Sequence, residues 1–153
     1  MTMKREIEFR GQKADNKEWV YGYLVCIPDG DSFDCYIISD FDERDSIYDL
    51  WKYAIKVIPE TVGQYTGIKD KNGKKIFEFD VVKVRITQTE DKQTYVDCKY
   101  KIGVIVYNED FALFTCKNNF MNFINWAFND YEVIGNVYDN PELLNDKESD
   151  NDG

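Results

Sequence analysis

Residues 62–84 read VGQYTGIKDKNGKKIFEFDVVKV, and this stretch decides what kind of fold the chain can have. Its glycines and lysines raise the question of a phosphate-binding loop. A P-loop, however, needs Gly-Lys followed by Ser or Thr and then a helix, whereas Gly73 precedes Lys74, Lys75 and a strand-like alternation. The pair Asn72-Gly73 instead predicts a β-hairpin with a type I′ turn, in which both central residues take positive φ.

Short segments of alternating apolar and polar residues predict strands on both sides of this hairpin. The most regular of them, 80–88, sets Val82 and Val84 against Lys83 and Arg85. Aromatic residues make up 16% of the chain, and they fit the half-buried surface of a sheet. Further strands are expected at 6–11, 19–27, 35–39, 54–59, 61–66, 94–108, 111–117 and 131–138.

Two features qualify this all-strand pattern. Gly103 marks 94–108 as either one long strand or a pair bent at that glycine. Helical spacing predicts a short helix or a mobile loop within 40–53, a short amphipathic helix over 118–130 and a final helical turn after Pro141. Many short strands separated by turns are typical of a small barrel or sandwich, so we expect a mainly β fold with one or two short helices.

The composition indicates a cytoplasmic protein without a membrane segment. No apolar run approaches the ~20 residues of a membrane helix, and the first residues lack the apolar core of a signal peptide. The chain contains no histidine and no C-x-x-C pair, so neither a metal site nor a cofactor is expected. Reduced and mostly buried thiols are predicted for its four cysteines, Cys26, Cys35, Cys98 and Cys116.

The net charge of −10 is unevenly distributed along the 153 residues. The segment 139–153 holds six acidic residues and one lysine, which is half of the net charge. We therefore expect a single β domain over 1–145 and an acidic disordered tail over 146–153. The tail serves either solubility or the capture of a basic partner.

The stretch 61–84, together with YEVIGNVYDNPELL at 131–144, resembles the YopX family of phage and prophage proteins. The opening REIEFRG at 5–11 and the segment VYGYL at 20–24 resemble that family as well. The resemblance implies a small SH3-like barrel elaborated with extra strands. It also implies an origin in a phage or an integrated element of a low-GC Gram-positive bacterium, and it implies no established activity.

The chain departs from the family pattern at two places. Members commonly carry a glycine before the aspartate of the turn that here reads Glu78-Phe79-Asp80. Because phenylalanine does not take positive φ cheaply, we expect a different turn at this position. Members also usually carry an aromatic residue after the opening segment, where this chain has Gly11-Gln12.

The family motif supplies the candidate binding residues. Its glycines, polar side chains and lysines serve either a binding site or the architecture of the turns. The candidates are Gln64, Tyr65, Lys69, Asp70, Lys71, Lys74, Lys75 and Asp80.

These residues bear on three classes of function. Without histidine the common serine and cysteine nucleophile arrangements are absent, and the carboxylates of 40–49 lack calcium-loop spacing, so an enzyme is not expected beyond a weak carboxylate–metal activity. A binding module acting on a host or phage protein is the leading interpretation, and homo-oligomers are compatible with it. The alternative is a nucleic-acid-binding barrel that uses the lysine hairpin around Asn72-Gly73, with Tyr65 and Phe77 as nearby aromatics.

Overall fold

The computed structural model describes residues 5–91, 94–117, 122–123 and 131–145. The chain divides into two units, Met1–Gly67 and Ile68–Gly153. Every paired strand in both units is antiparallel. This agrees with the mainly β prediction. That 1–145 acts as one domain stays a prediction.

The first unit contains five strands and two 3₁₀ helices: β1 Phe9–Gln12, β2 Trp19–Asp29, β3 Ser32–Ile38, the helix Ile47–Tyr53, β4 Ala54–Val57, the helix Pro59–Thr61 and β5 Gly63–Lys69. The second unit contains β6 Lys75–Phe77, β7 Asp80–Asp91, β8 Thr94–Asn108, β9 Leu113–Lys117, β10 Asn122–Phe123, β11 Tyr131–Asn136 and the 3₁₀ helix Pro141–Leu144. The chain passes from the first unit to the second within β5.

The strands form two open sheets. Their strand orders are β4-β3-β2-β1-β5-β6 and β10-β9-β8-β7-β11. A single bridge between Lys13 and Val57 brings β4 close to the residue that follows β1. No closed barrel occurs among the described residues, so the SH3-like barrel is not confirmed.

The core of the first unit lies on one face of its sheet. Val20 of β2, Ile37 of β3 and Val57 of β4 are all at least 94% buried, and they pack together with Phe9 and Leu24. Burying such side chains stabilises the fold by about 1.5–3 kcal/mol each. The predicted alternation of β2 is thereby confirmed, and its tyrosines occupy the opposite face.

The prediction of reduced thiols is wrong for one pair of cysteines. Cys26 and Cys35 are direct cross-strand partners with Cα atoms 4.2 Å apart, and they form a disulfide. Antiparallel pairing, which the residue spacing alone does not reveal, brings them together. Cys116 is a buried free thiol, and burial raises its pKa to about 12. The Cys98 side chain lies outside the described residues.

The core of the second unit is built from β7, β8, β9 and β11. Val82 and Val84 are buried as predicted, and Ile105 and Cys116 pack against them. Gly103 does not interrupt the strand, since β8 runs continuously through it. A Cβ at Gly103 would lie 2.5 Å from the Cys116 sulfur, so the glycine makes room for that side chain.

The short helices agree only partly with prediction. The helix Ile47–Tyr53 lies within the predicted segment 40–53, and the turn Pro141–Leu144 is confirmed. Within the predicted amphipathic helix 118–130, however, Asn122–Phe123 pairs with β9 as a strand. The remainder of that segment and the tail 146–153 lie outside the described residues. Among the helices that are described, none has the length and apolar character needed to cross a membrane.

Candidate functional site

The lysine hairpin contains a three-residue loop rather than the predicted type I′ turn. The Gly73 N–H donates to the Asp70 carbonyl at 3.0 Å, and the Asp70 N–H donates to the Lys74 carbonyl at 2.7 Å. Gly73 takes φ +82°, whereas Asn72 is not among the residues with positive φ. A hairpin loop of this length places one residue in the left-handed region, and here that residue is Gly73.

The Asp70 carboxylate holds this loop together and joins it to β11. Its Oδ1 accepts hydrogen bonds from the Asn72 and Lys74 N–H groups, both at 2.9 Å. Its Oδ2 accepts from the Val133 N–H at 3.0 Å, and the residue is 93% buried. Asp70 is therefore a structural clamp between residues that lie 63 positions apart in sequence.

The surroundings of Asp70 favour its charged form. Burial by itself raises the pKa of this carboxyl. The hydrogen bonds from Val133, Lys74 and Asn72, together with the Lys74 charge, outweigh burial and hold the pKa below its ordinary value. The pKa of Asp70 in the folded protein thus lies below its pKa in the unfolded chain, which is about 4. The ionised carboxylate therefore stabilises the fold fully above the unfolded-state pKa. This stabilisation is lost as the pH falls through the folded-state pKa.

We expect the stability advantage of the wild type over Asp70→Asn to shrink as the pH is lowered from about 6 to about 3. The amide has one acceptor oxygen where the carboxylate uses two, and it cannot ionise, so Asp70→Asn loses hydrogen bonding at every pH and also removes the pH-dependent part of the clamp. Urea unfolding of both proteins at several pH values measures this. A difference that stays constant over that range would show that Asp70 does not titrate with a lowered pKa.

The second carboxylate of the motif, Asp80, stabilises the next turn. It is 99% buried, and its Oδ2 accepts a hydrogen bond from the Phe77 N–H at 2.8 Å. Phe79 nevertheless takes φ +68°, a backbone conformation that glycine adopts more readily. The Phe79 N–H donates to the Ile105 carbonyl, and the Phe79 carbonyl accepts from the Val137 N–H. The Phe79 ring packs edge-on against the Tyr138 ring, with centroids 5.7 Å apart. These contacts compensate for the strained backbone.

The remaining candidates are divided between the two units. Gln64 and Tyr65 belong to the first unit and the four lysines to the second. Tyr65 is 96% buried, and its N–H donates to the Glu8 carbonyl at 2.8 Å. Gln64 is half-buried and lies opposite Phe9. The sequence identified residues that build the turns and the core, and a binding role for them stays a prediction.

The lysines of the hairpin differ in their exposure. Lys69 and Lys74 are exposed, while Lys75 is half-buried. The Lys71 ammonium forms a 2.6 Å ion pair with Glu132. The two aromatic residues expected beside them, Tyr65 and Phe77, are at least 96% buried and cannot stack on bases.

The C-terminal motif also has a structural role. The Asn136 side chain accepts from the Tyr138 and Asp139 N–H groups and donates to the Asp139 carboxylate at 2.9 Å. A Cβ at Gly135 would overlap the Asn140 side chain, which explains the glycine. These C-terminal residues of the family pattern therefore hold the turn that follows β11 in place.

The acidic loop 40–46 is organised by its own contacts. Asp42 binds the Arg44 guanidinium at 2.6 Å, and this hydrogen bonding holds the pKa of Asp42 below its ordinary value. Asp45 accepts a hydrogen bond from the Tyr53 hydroxyl at 2.8 Å. Within the described part of the chain, no group of three or more acidic or cysteine residues is placed to hold a metal ion.

Sequence reasoning missed an exposed apolar surface on the first unit. The outer face of β2 presents Tyr23 and Ile27, which are 60% and 42% exposed. Trp51, 54% exposed, packs edge-on against Tyr36 of β3 with ring centroids 5.6 Å apart. We call this surface the aromatic face; it consists of Tyr21, Tyr23, Ile27, Tyr36, Tyr48 and Trp51. The sequence of 19–27 shows that two sets of side chains alternate, but it does not show which set faces solvent.

The chain is similar to known proteins in sequence pattern and in structure. The pattern of the family described as YopX protein matches residues 8–145. Among solved structures, the chain is similar to the crystal structure of protein EF1440 from Enterococcus faecalis, with 25% sequence identity and a TM-score of 0.55. That similarity covers 92% of this chain and 99% of the other. No curated protein sequence matches. The match over residues 8–145 places this chain in the YopX family.

Proposed function

We propose that this protein is a non-enzymatic binding module, encoded by a phage or prophage, that acts on a host or phage protein in the bacterial cytoplasm. The observation that carries the proposal is the aromatic face. Single exposed apolar residues are common on proteins, but contiguous ones mark interaction sites. Tyrosine and tryptophan in particular are enriched in protein interfaces.

The nucleic-acid alternative has weaker support. Its exposed cations are Lys69, Lys71 and Lys74, and the Lys71 ammonium is engaged by Glu132. No exposed aromatic residue accompanies them within the hairpin 69–75, and the net charge of −10 opposes binding to phosphates. A partner contact at this hairpin stays a prediction, as does a homo-oligomer.

The test is affinity capture of the tagged protein from a lysate of a lysogenic low-GC Gram-positive host, with and without nuclease. Mass spectrometry identifies what is retained. A host or phage protein that is retained equally after nuclease treatment is the expected result. Recovery that disappears with nuclease would contradict the proposal and favour the lysine hairpin.

A further inference from the structure

We infer that the aromatic face binds a polypeptide segment that has apolar side chains in its centre and lysine or arginine on both sides. This inference rests on the proposed function and specifies the partner for it. It is based on the arrangement of aromatic and charged side chains on the first unit.

In the central part of the face, apolar side chains lie side by side, bordered by the Asp34–Lys56 ion pair. Cross-strand pairing sets Val25 opposite Tyr36, so these two side chains lie on the same face as Tyr23 and Ile27. Trp51 extends this surface, because its ring contacts Tyr36. Tyr48 precedes Trp51 by three residues in a 3₁₀ helix, and side chains at that spacing share one side of the helix.

The segment that carries this surface is acidic, although Arg10 of β1 also lies on this side of the sheet, opposite Tyr21. Residues 19–56 contain eight acidic and three basic side chains, a net charge of −5. Each of the three basic residues is already paired with a carboxylate of the same segment, in the ion pairs Arg44–Asp42, Lys52–Asp49 and Lys56–Asp34. The other five carboxylates, Asp29, Asp31, Asp40, Glu43 and Asp45, have no cation from this segment.

These carboxylates lie at both ends of the face. Asp29 and Asp31 lie at or beside the β2–β3 turn, close to Ile27. The loop 40–46 follows the opposite end of β3, where Tyr23 pairs with Ile38. Strand β3 has seven residues, which separates the two acidic ends by about 23 Å.

This pattern selects the chemistry of the occupant. Aromatic rings bind apolar side chains and the cations of lysine and arginine, and flanking carboxylates add electrostatic attraction to a basic segment. A nucleic acid would be repelled by the same carboxylates. An extended peptide of about seven or eight residues would span the distance between the acidic ends.

The test uses a library of random peptides of about twelve residues, selected on the immobilised full-length protein. The expected peptides combine apolar residues with lysine or arginine, and added salt should weaken their binding. Tyr23→Ser combined with Trp51→Ser should reduce their affinity about tenfold or more, because exposed tryptophan and tyrosine dominate such contacts.

The matched control is Tyr100→Ser combined with Phe111→Ser. These residues are 57% and 63% exposed, as against 60% and 54% for the first pair, and both belong to the second unit. The control should leave affinity within about twofold. Selected peptides that bind both variants equally, or that are acidic, would overturn the inference but not the proposed function. If a second copy of the chain occupied the aromatic face, the protein would form a dimer that Tyr23→Ser with Trp51→Ser dissociates and the control pair does not. That result would also overturn the inference.

Discussion

Replacing Gly22 with alanine should lower the free energy of unfolding by about 4 kcal/mol. A Cβ at this position would overlap the Ile38 carbonyl oxygen and lie 2.9 Å from the Ile38 carbonyl carbon. These are backbone atoms of β3, and they cannot move without disturbing the pairing of Tyr23 with Ile38. Gly22 also has φ +155°, which side chains rarely adopt. Overpacking costs about 1–3 kcal/mol or more, and holding a side-chain-bearing residue in this sparsely populated backbone region adds about 1–3.

Urea unfolding measures this effect, with Gly30→Ala as the control. Gly30 also has positive φ, +61°, but a Cβ there would meet nothing within 4 Å. We expect the control to cost only about 1 kcal/mol, through the backbone alone. If Gly22→Ala were as mild as Gly30→Ala, the close approach of β2 and β3 at Gly22 would be wrong.

Replacing Asp70 with alanine should lower the free energy of unfolding by about 3 kcal/mol. The substitution removes the acceptor for the N–H groups of Asn72, Lys74 and Val133. Hydrogen bonds to a charged group contribute about 1.5–3 kcal/mol, and a buried N–H without a partner adds a desolvation cost. Because Asn72 and Lys74 are exposed, water can replace part of what they lose.

The control for this prediction is Asp110→Ala. Asp110 is an exposed carboxylate in the turn after β8, and its loss should cost less than about 0.5 kcal/mol. Amide hydrogen exchange adds a local readout, since the Val133 amide should lose protection in Asp70→Ala. Unchanged protection of Val133, together with a small loss of stability, would contradict the clamp between the hairpin and β11.

Much of the fold could be predicted because local patterns specify it. The alternation around Val82 and Val84 fixed both the strand and its buried face. Partners distant in sequence could not be predicted in this way. The disulfide between Cys26 and Cys35 depends on strand register, and the pairing of Asn122 with Lys117 depends on tertiary contacts that overrode a helical pattern.

The candidate site was predicted less well, for a related reason. The family signature contains Asp70, Asp80 and Asn136, and all three are used for hydrogen bonds that shape turns. A signature of this kind identifies the fold more directly than the function. The aromatic face contains no sequence motif that would identify it. Only the burial of the opposite side of β2 shows that Tyr23 points to solvent.

We propose that the signature residues build the fold while the aromatic face binds the partner. The most direct test is parallel capture from one nuclease-treated host lysate, quantified by mass spectrometry. It uses the wild type, Tyr23→Ser with Trp51→Ser, and Lys69→Glu with Lys74→Glu, each first shown to be folded. We predict that the aromatic variant loses the captured protein while the lysine variant keeps it. Loss with the lysine variant and retention with the aromatic one would show that the lysine hairpin, and not the aromatic face, binds the partner.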